Sequence, residues 1–235
     1  MRIQPAILAA TSSPVINLRA NAGVYQNSAG TTAATANNDP IGNWHNQNGD
    51  NYSGLQSTSG SRPFLQTAVP SILFDGSDDY LVSSNTLSHT VGTVLIVFTT
   101  GATAFATRGD QVLFSSADNG TANNWFEIGI SSAGNMYIES NAGGTKHTVN
   151  GFTTLLVSTT YSIAVVYDGT DYYVSLNGTE ENPLTVSNIG TIAWFGHVSG
   201  ADNTVVGGTV TSAGLVRPFL GQILEVIVYS YDITA

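Results

Sequence analysis

Three aspartates crowd the segment Leu73-Phe74-Asp75-Gly76-Ser77-Asp78-Asp79-Tyr80. Calcium takes roughly six to eight oxygen ligands from carboxylates, amides and backbone carbonyls, so a short acidic turn is a natural place to look for one. Asp118-Asn119 and Asp168–Asp171 form two further acidic turns. Aspartate in a turn also caps its own backbone, and Asp75 and Asp168, each followed by glycine, occupy hairpin positions where that role is the simpler one. Asp78, Asp79 and Asp118 are therefore the candidate metal ligands. Calcium is the candidate ion, and no other cofactor is expected.

Sugar recognition calls for an aromatic ring face flanked by amides and carboxylates that fix hydroxyl groups. Trp44 and Tyr52 lie beside Asn46, and Trp125 follows Asn124. These five residues are the candidate carbohydrate-binding set. The competing reading places the rings in the core, where Trp is usually well buried. Acid–base catalysis has less support. Glu127, Glu139 and Glu225 are solitary in the sequence, and Glu180 and Glu181 are adjacent, so on a strand they point to opposite faces. The four histidines do not cluster, and neither a nucleophile elbow nor a Gly-rich phosphate loop is present. The chain is not expected to be an enzyme.

The elements that must position these residues are short. Apolar segments rich in Val, Ile, Phe and Tyr recur between Gly, Asn, Asp and Ser, with no helical stripe, which is the all-β pattern. Candidate strands span 71–74, 80–84, 93–99, 111–115, 125–130, 135–140, 161–167, 172–176, 191–195 and 221–229. Asp75-Gly76, Asp168-Gly169 and Asn177-Gly178 supply the positive φ that tight hairpins need. Tyr161–Tyr167 alternates as a half-buried strand does. Val94-Leu95-Ile96-Val97-Phe98 is continuously apolar, as in a central strand covered on both faces. Many short strands without crossover helices imply two packed antiparallel sheets, with an up-and-down barrel as the competing closure. Residues 19–63 read as long ordered loops. Residues 1–14 read as an arm, with Ile3, Ile7 and Leu8 as its apolar contacts, ahead of one domain spanning 15–235.

Composition narrows the partners. Charged residues are only 9% of the 235, against roughly 25% in an ordinary domain. Six basic residues against sixteen acidic ones give a net charge of −10. That balance lacks the cationic footprint for phosphate, so neither nucleic acid nor anionic membrane is expected as a partner. There are no cysteines, hence no disulfides or thiolate sites. No apolar run approaches the ~20 residues of a membrane span. Scarcity of Lys and Glu is typical of buried interface cores and suits a homo-oligomer.

Four stretches carry a family resemblance. These are Asn43–Gly49 with Ser61-Arg62-Pro63, the Leu73–Leu81 segment, the hairpin from Tyr161 to Gly178, and the last strand, Phe219–Tyr229. In this order they resemble the concanavalin A-like lectin/glucanase superfamily, in the laminin G-like branch found in phage virion and bacterial surface proteins. The resemblance implies a two-sheet jelly-roll sandwich. Asn46 stands where the family's loop carries a carboxylate. The Glu-x-Asp-x-x-Glu strand of the fold's glycosidases is absent. The implied function is a non-enzymatic virion surface protein, a phage capsid decoration or tail component, bound to other virion or surface proteins. The alternative is a carbohydrate-binding adhesin on a cell or virion surface, and a glycoside hydrolase is the weakest reading. Each places the chain on a virion surface or outside the cell.

Overall fold

Alternation along each strand decides the architecture, because successive side chains point to opposite faces. The computed structural model describes residues 13–49, 51–182, 184–187 and 193–233. Along the chain the strands are β1 (Ile16–Arg19), β2 (Val24–Tyr25), β3 (Asn43–Trp44), β4 (Gly54–Leu55), β5 (Phe64–Gln66), β6 (Ser71–Asp75) and β7 (Leu81–Ser83). Then come β8 (Gly92–Thr100), β9 (Gln111–Ala117), β10 (Asn124–Ile130), β11 (Asn135–Ala142), β12 (Thr145–Thr154), β13 (Thr160–Tyr167) and β14 (Tyr172–Leu176). The last are β15 (Thr179–Glu180), β16 (Thr185–Ser187), β17 (Asn203–Val206), β18 (Thr209–Thr211), β19 (Gly214–Val216) and β20 (Leu220–Tyr229). The one α-helix among the described residues, α1, is a single turn at Phe105–Arg108.

Two antiparallel sheets face each other, which settles the sandwich over the barrel. The eight-stranded sheet runs β15-β14-β13-β8-β20-β6-β5, with β1 also paired to β20. The ten-stranded sheet runs β16-β12-β11-β10-β9-β17-β7-β4-β3-β2. A separate hairpin, β18–β19, lies against β9 and β10 of the larger sheet. Inward residues of both sheets form one apolar core, including Ile72, Phe74, Ile96, Phe98, Phe126 and Ile128. Trp194 and Phe195 are driven into it beside Phe126, with ring centroids 5.6 Å and 4.6 Å away. Aromatic contacts of this kind add about 0.5–1.5 kcal/mol each beyond area burial.

Several expectations shift in detail. The 191–195 strand falls partly outside the described residues, and Phe195–His197 is a 3-10 turn. β12 is missing from the sequence reading because Thr, Lys, His and Asn dominate it; pairing with β11 and β16 makes it a strand. The continuous run in β8 is central, between β13 and β20, yet not covered on both faces. Val94, Ile96 and Phe98 are fully buried, whereas Leu95 and Val97 are only half-buried on the outward side. The arm residues Ile3, Ile7 and Leu8 lie outside the described residues.

Candidate functional site

The outward face of the ten-stranded sheet gathers a polar network around two carboxylates. β10 and β11 pair with Trp125 opposite Asn141, Glu127 opposite Glu139 and Gly129 opposite Tyr137. On β12, Lys146 faces Asn141 and Thr148 faces Glu139. Two carboxylates directly opposite each other repel, so this register requires a cation. Arg217, just after β19, supplies it: its Nη1 pairs with Glu127 and lies 2.9 Å from Glu139 Oε1.

Glu127 is fully buried. It also accepts hydrogen bonds from the Tyr137 hydroxyl at 2.9 Å and the Thr209 hydroxyl at 2.9 Å. Burial pushes the Tyr137 phenol well above its usual range, with the charges of Asp110 and Glu139 adding to it. Glu139 sits nearer solvent, accepting from Lys146 Nζ at 3.0 Å and Thr148 Oγ1 at 3.1 Å. Trp125 is 5% exposed, because the Arg217 guanidinium stacks 4.9 Å from its ring centroid and Lys146 Nζ lies at 5.4 Å.

Glu127 and Glu139 read as solitary because they are twelve positions apart, but the hairpin through residues 131–134 places them face to face. The signal was available, since positions equidistant from a hairpin turn oppose one another. Nothing in the sequence pointed to Arg217, which arrives through the β18–β19 hairpin.

The predicted sugar residues part company. Trp44 has no exposed surface and belongs to the core. Asn46, 1% exposed, accepts from the Asn17 amide at 2.8 Å and donates to the carbonyls of Val15 (3.0 Å) and Asn51 (2.6 Å). Tyr52 packs against the core and donates its hydroxyl to Thr86 O at 2.9 Å. Trp44 and Asn46 are closed off inside the loop's own packing, while Tyr52 is only partly buried. Trp125 stands at the edge of the polar network instead, whereas Asn124, the preceding residue of β10, belongs to the other face. Asn124 accepts from Gly143 N at 3.0 Å and donates to Ser199 O at 3.4 Å. The Trp125 ring is covered by cations rather than open.

Asp75, Asp78 and Asp79 each bring a carboxylate oxygen to within 4.8 Å of the others. Asp75 caps the turn, accepting from Ser77 N at 2.7 Å and Asp78 N at 3.3 Å. Asp78 accepts from Ser61 Oγ at 3.1 Å. Asp79, 2% exposed, accepts from Asp75 N at 2.9 Å. Burial, then the charges of Asp75 and Asp78, raise its carboxyl to about 7 against the pull of that amide. Arg108 donates to Gly76 O beside this turn. Asp118 is not part of the group. Its side chain caps a different turn by accepting from Gly120 N at 2.7 Å, so it is no co-ligand of Asp78 and Asp79. Asp168 likewise caps its turn, accepting from Thr170 N at 2.7 Å and Asp171 N at 2.8 Å.

A family model described as the concanavalin A-like lectin/glucanases superfamily, laminin G type, matches residues 75–235, more than half of the chain. The chain belongs to that superfamily. Among solved structures, the CBM40 domain of the Ruminococcus gnavus IT-sialidase, bound to α2,3-sialyllactose, superposes with a TM-score of 0.53 at 22% identity, covering 62% of this chain and 79% of that one. The NanB sialidase from Streptococcus pneumoniae gives 0.52 at 19%, covering 63% of this chain and 23% of its own. A native heptameric SAP-like pentraxin from Limulus polyphemus gives 0.50 at 19%, covering 69% and 76%. At these identities the likeness is one of fold. No curated protein matches the chain.

Proposed function

We propose that this chain is a non-enzymatic carbohydrate-binding module, displayed outside a cell or on a virion surface. The observation that carries the reading is the outward face of the ten-stranded sheet. There Lys146 and Glu139, with side chains 49% and 13% exposed, sit beside Asn141 on a base of Trp125 and Arg217. Such a surface offers fixed donors and acceptors to hydroxyl groups at little entropic cost, because the network already holds each side chain in place. A domain of the same fold carries a sialylated sugar in the Ruminococcus structure, which supports the reading by analogy of fold alone.

Hydrolysis is disfavoured by the same geometry. Two carboxylates near 5 Å apart suit a retaining glycosidase in principle. Here Glu127 is sealed from solvent and both carboxylates bind one guanidinium. Neither is positioned to donate a proton to a leaving group. Calcium at Asp75, Asp78 and Asp79 is a second element of the proposal; ionising Asp79 beside two like charges is unfavourable without a cation. The virion-assembly reading, with a capsid or tail partner, rests on the family resemblance and the lean charge composition; its anchoring residues Ile3, Ile7 and Leu8 lie outside the described residues.

The deciding experiment is a glycan array of the purified chain, run with calcium and again with a chelator. Specific binding that is lost in Lys146→Ala and Glu139→Gln supports the reading. Loss under chelation makes calcium part of the binding-competent state. An array silent under both conditions removes carbohydrate binding as the function.

A further inference from the structure

The charge balance of the network on the ten-stranded sheet selects among sugars. Its cations are Arg217 and Lys146, and both are already engaged. Arg217 Nη1 serves Glu127 and Glu139 together, and Lys146 Nζ lies 3.0 Å from Glu139 Oε1. A third carboxylate, Asp110 in the segment before β9, is near enough for its charge to be felt by Arg217 and Tyr137. Two cations therefore face three carboxylates, and the patch carries one negative charge in excess. His147, between Lys146 and Thr148, alternates to the other side of β12.

No further cation is at hand. The other basic residues described are committed elsewhere: Arg19 to Glu225, Arg62 to the carbonyls of Gln56 and Ser57, and Arg108 to the carbonyl of Gly76. A net charge of −10 over the whole chain repels an approaching anion before contact. On contact, an acidic sugar must take Lys146 from Glu139, whose side chain is only 13% exposed and stands directly opposite Glu127. Like charges left short of cations in a partly dry site repel far more than they do in water. A neutral sugar meets no such conflict. A hydroxyl both donates and accepts, so it can donate to Glu139 and accept from Lys146 while the ion pair stays closed.

We infer that the sugars recognised on this face are uncharged, the intact Lys146–Glu139 pair offering one donor and one acceptor to hydroxyl groups and excluding sialic acids, uronates and sulfated sugars. The inference rests on the carbohydrate-binding reading and narrows it. It sets this chain apart from the Ruminococcus domain, whose structure holds sialyllactose.

The test is an array in which each neutral oligosaccharide is printed beside the same oligosaccharide bearing a sialic acid, a uronate or a sulfate, with lactose and α2,3-sialyllactose as one such pair. The neutral member is expected to bind, and the acidic member to be weaker by roughly tenfold or more. Titrating the bound neutral sugar at low and high salt is expected to give one affinity, because no net charge is neutralised. Glu139→Gln releases Lys146 and is expected to reverse the order, losing the neutral sugar and gaining the acidic one. That change also relieves the repulsion with Glu127, so circular dichroism is expected to show an intact fold. Lys146→Ala, at an exposed position, is expected to lose the neutral sugar without gaining the acidic one, which provides a second readout. An acidic sugar preferred over its neutral partner overturns the inference and leaves the carbohydrate-binding reading standing. Equal binding of both members, or a Glu139→Gln variant with the wild-type preference, overturns it as well. Silence across every pair removes the carbohydrate-binding reading itself, and this inference with it.

Discussion

Asp79 is the residue whose surroundings most oppose its charge. In an unfolded chain an aspartate titrates near 3.8, and here burial and two neighbouring carboxylates raise it to about 7. The folded state therefore holds a proton that the unfolded state has released between those values. The stability this provides is fully present below about 3.8 and is lost as pH rises through about 7. Thermal melts are expected to show the wild type losing stability over that window relative to Asp79→Asn, whose amide oxygen still accepts from Asp75 N. The difference amounts to a few kcal/mol at most. Above pH 7 millimolar calcium is expected to raise the wild-type melting temperature and leave Asp79→Asn unmoved, by linkage of binding to the folded state. A pH-independent difference between the two proteins would show that Asp79 is paired in a way the geometry does not include. Arg217 is the opposite case, a cation that compensates buried charge. Arg217→Met strands Glu127 with no exposed surface and is expected to cost about 3–5 kcal/mol in urea unfolding. Adding Glu127→Gln should recover much of it, which a purely steric role for Arg217 would not allow.

At the scale of elements, the network depends on how closely β10, β11 and the β18–β19 hairpin approach. Gly129 makes that approach feasible. A Cβ there would lie 2.3 Å from Gln111 O and 2.8 Å from the Tyr137 ring. Gly129→Ala is expected to displace Tyr137 from Glu127 and to cost about 1–3 kcal/mol as overpacking, seen as a lower urea midpoint at constant slope. The hairpin is held down by Ser115 Oγ donating to Gly208 O at 2.8 Å, by Thr209 on Glu127, and by Asn203 Nδ2 on Val210 O at 3.1 Å. Its strands are only three residues each, so these contacts, more than its own ladder, fix where Arg217 enters. Strands with apolar alternation, β13 and β14 among them, were legible from sequence because their pattern follows from burying one face. β12 and β17 were not. β12 is polar along its length and β17 mixes Asn, Thr and Val, so each is a strand because its neighbours offer hydrogen bonds, a property of the sheet rather than of the segment.

The whole molecule presents two sheet faces, and the carboxylate network held by Arg217 occupies the outward side of the ten-stranded one. Deleting residues 1–12 separates the assembly reading from the carbohydrate-binding one, because it removes Ile3, Ile7 and Leu8 while sparing every strand of the two sheets: incorporation or oligomerisation is expected to be lost only if the arm anchors the chain, and glycan binding is expected to persist.

By itself the sequence determined that this chain is built of many short antiparallel strands, through periods of two and turn glycines, while the two facing sheets decided the sandwich over the barrel. It also placed Asp75 and Asp168 in their turns, since that role depends on neighbours a few positions away. Tertiary structure alone decided that Trp44 and Asn46 are scaffolding, that Asp118 stands apart from Asp78 and Asp79, and that Glu127, Glu139, Lys146 and Arg217 form one network. Each of those outcomes depends on which distant strand lies alongside. Sheet register is set by the sum of many weak long-range pairings, and no local window of sequence contains that sum.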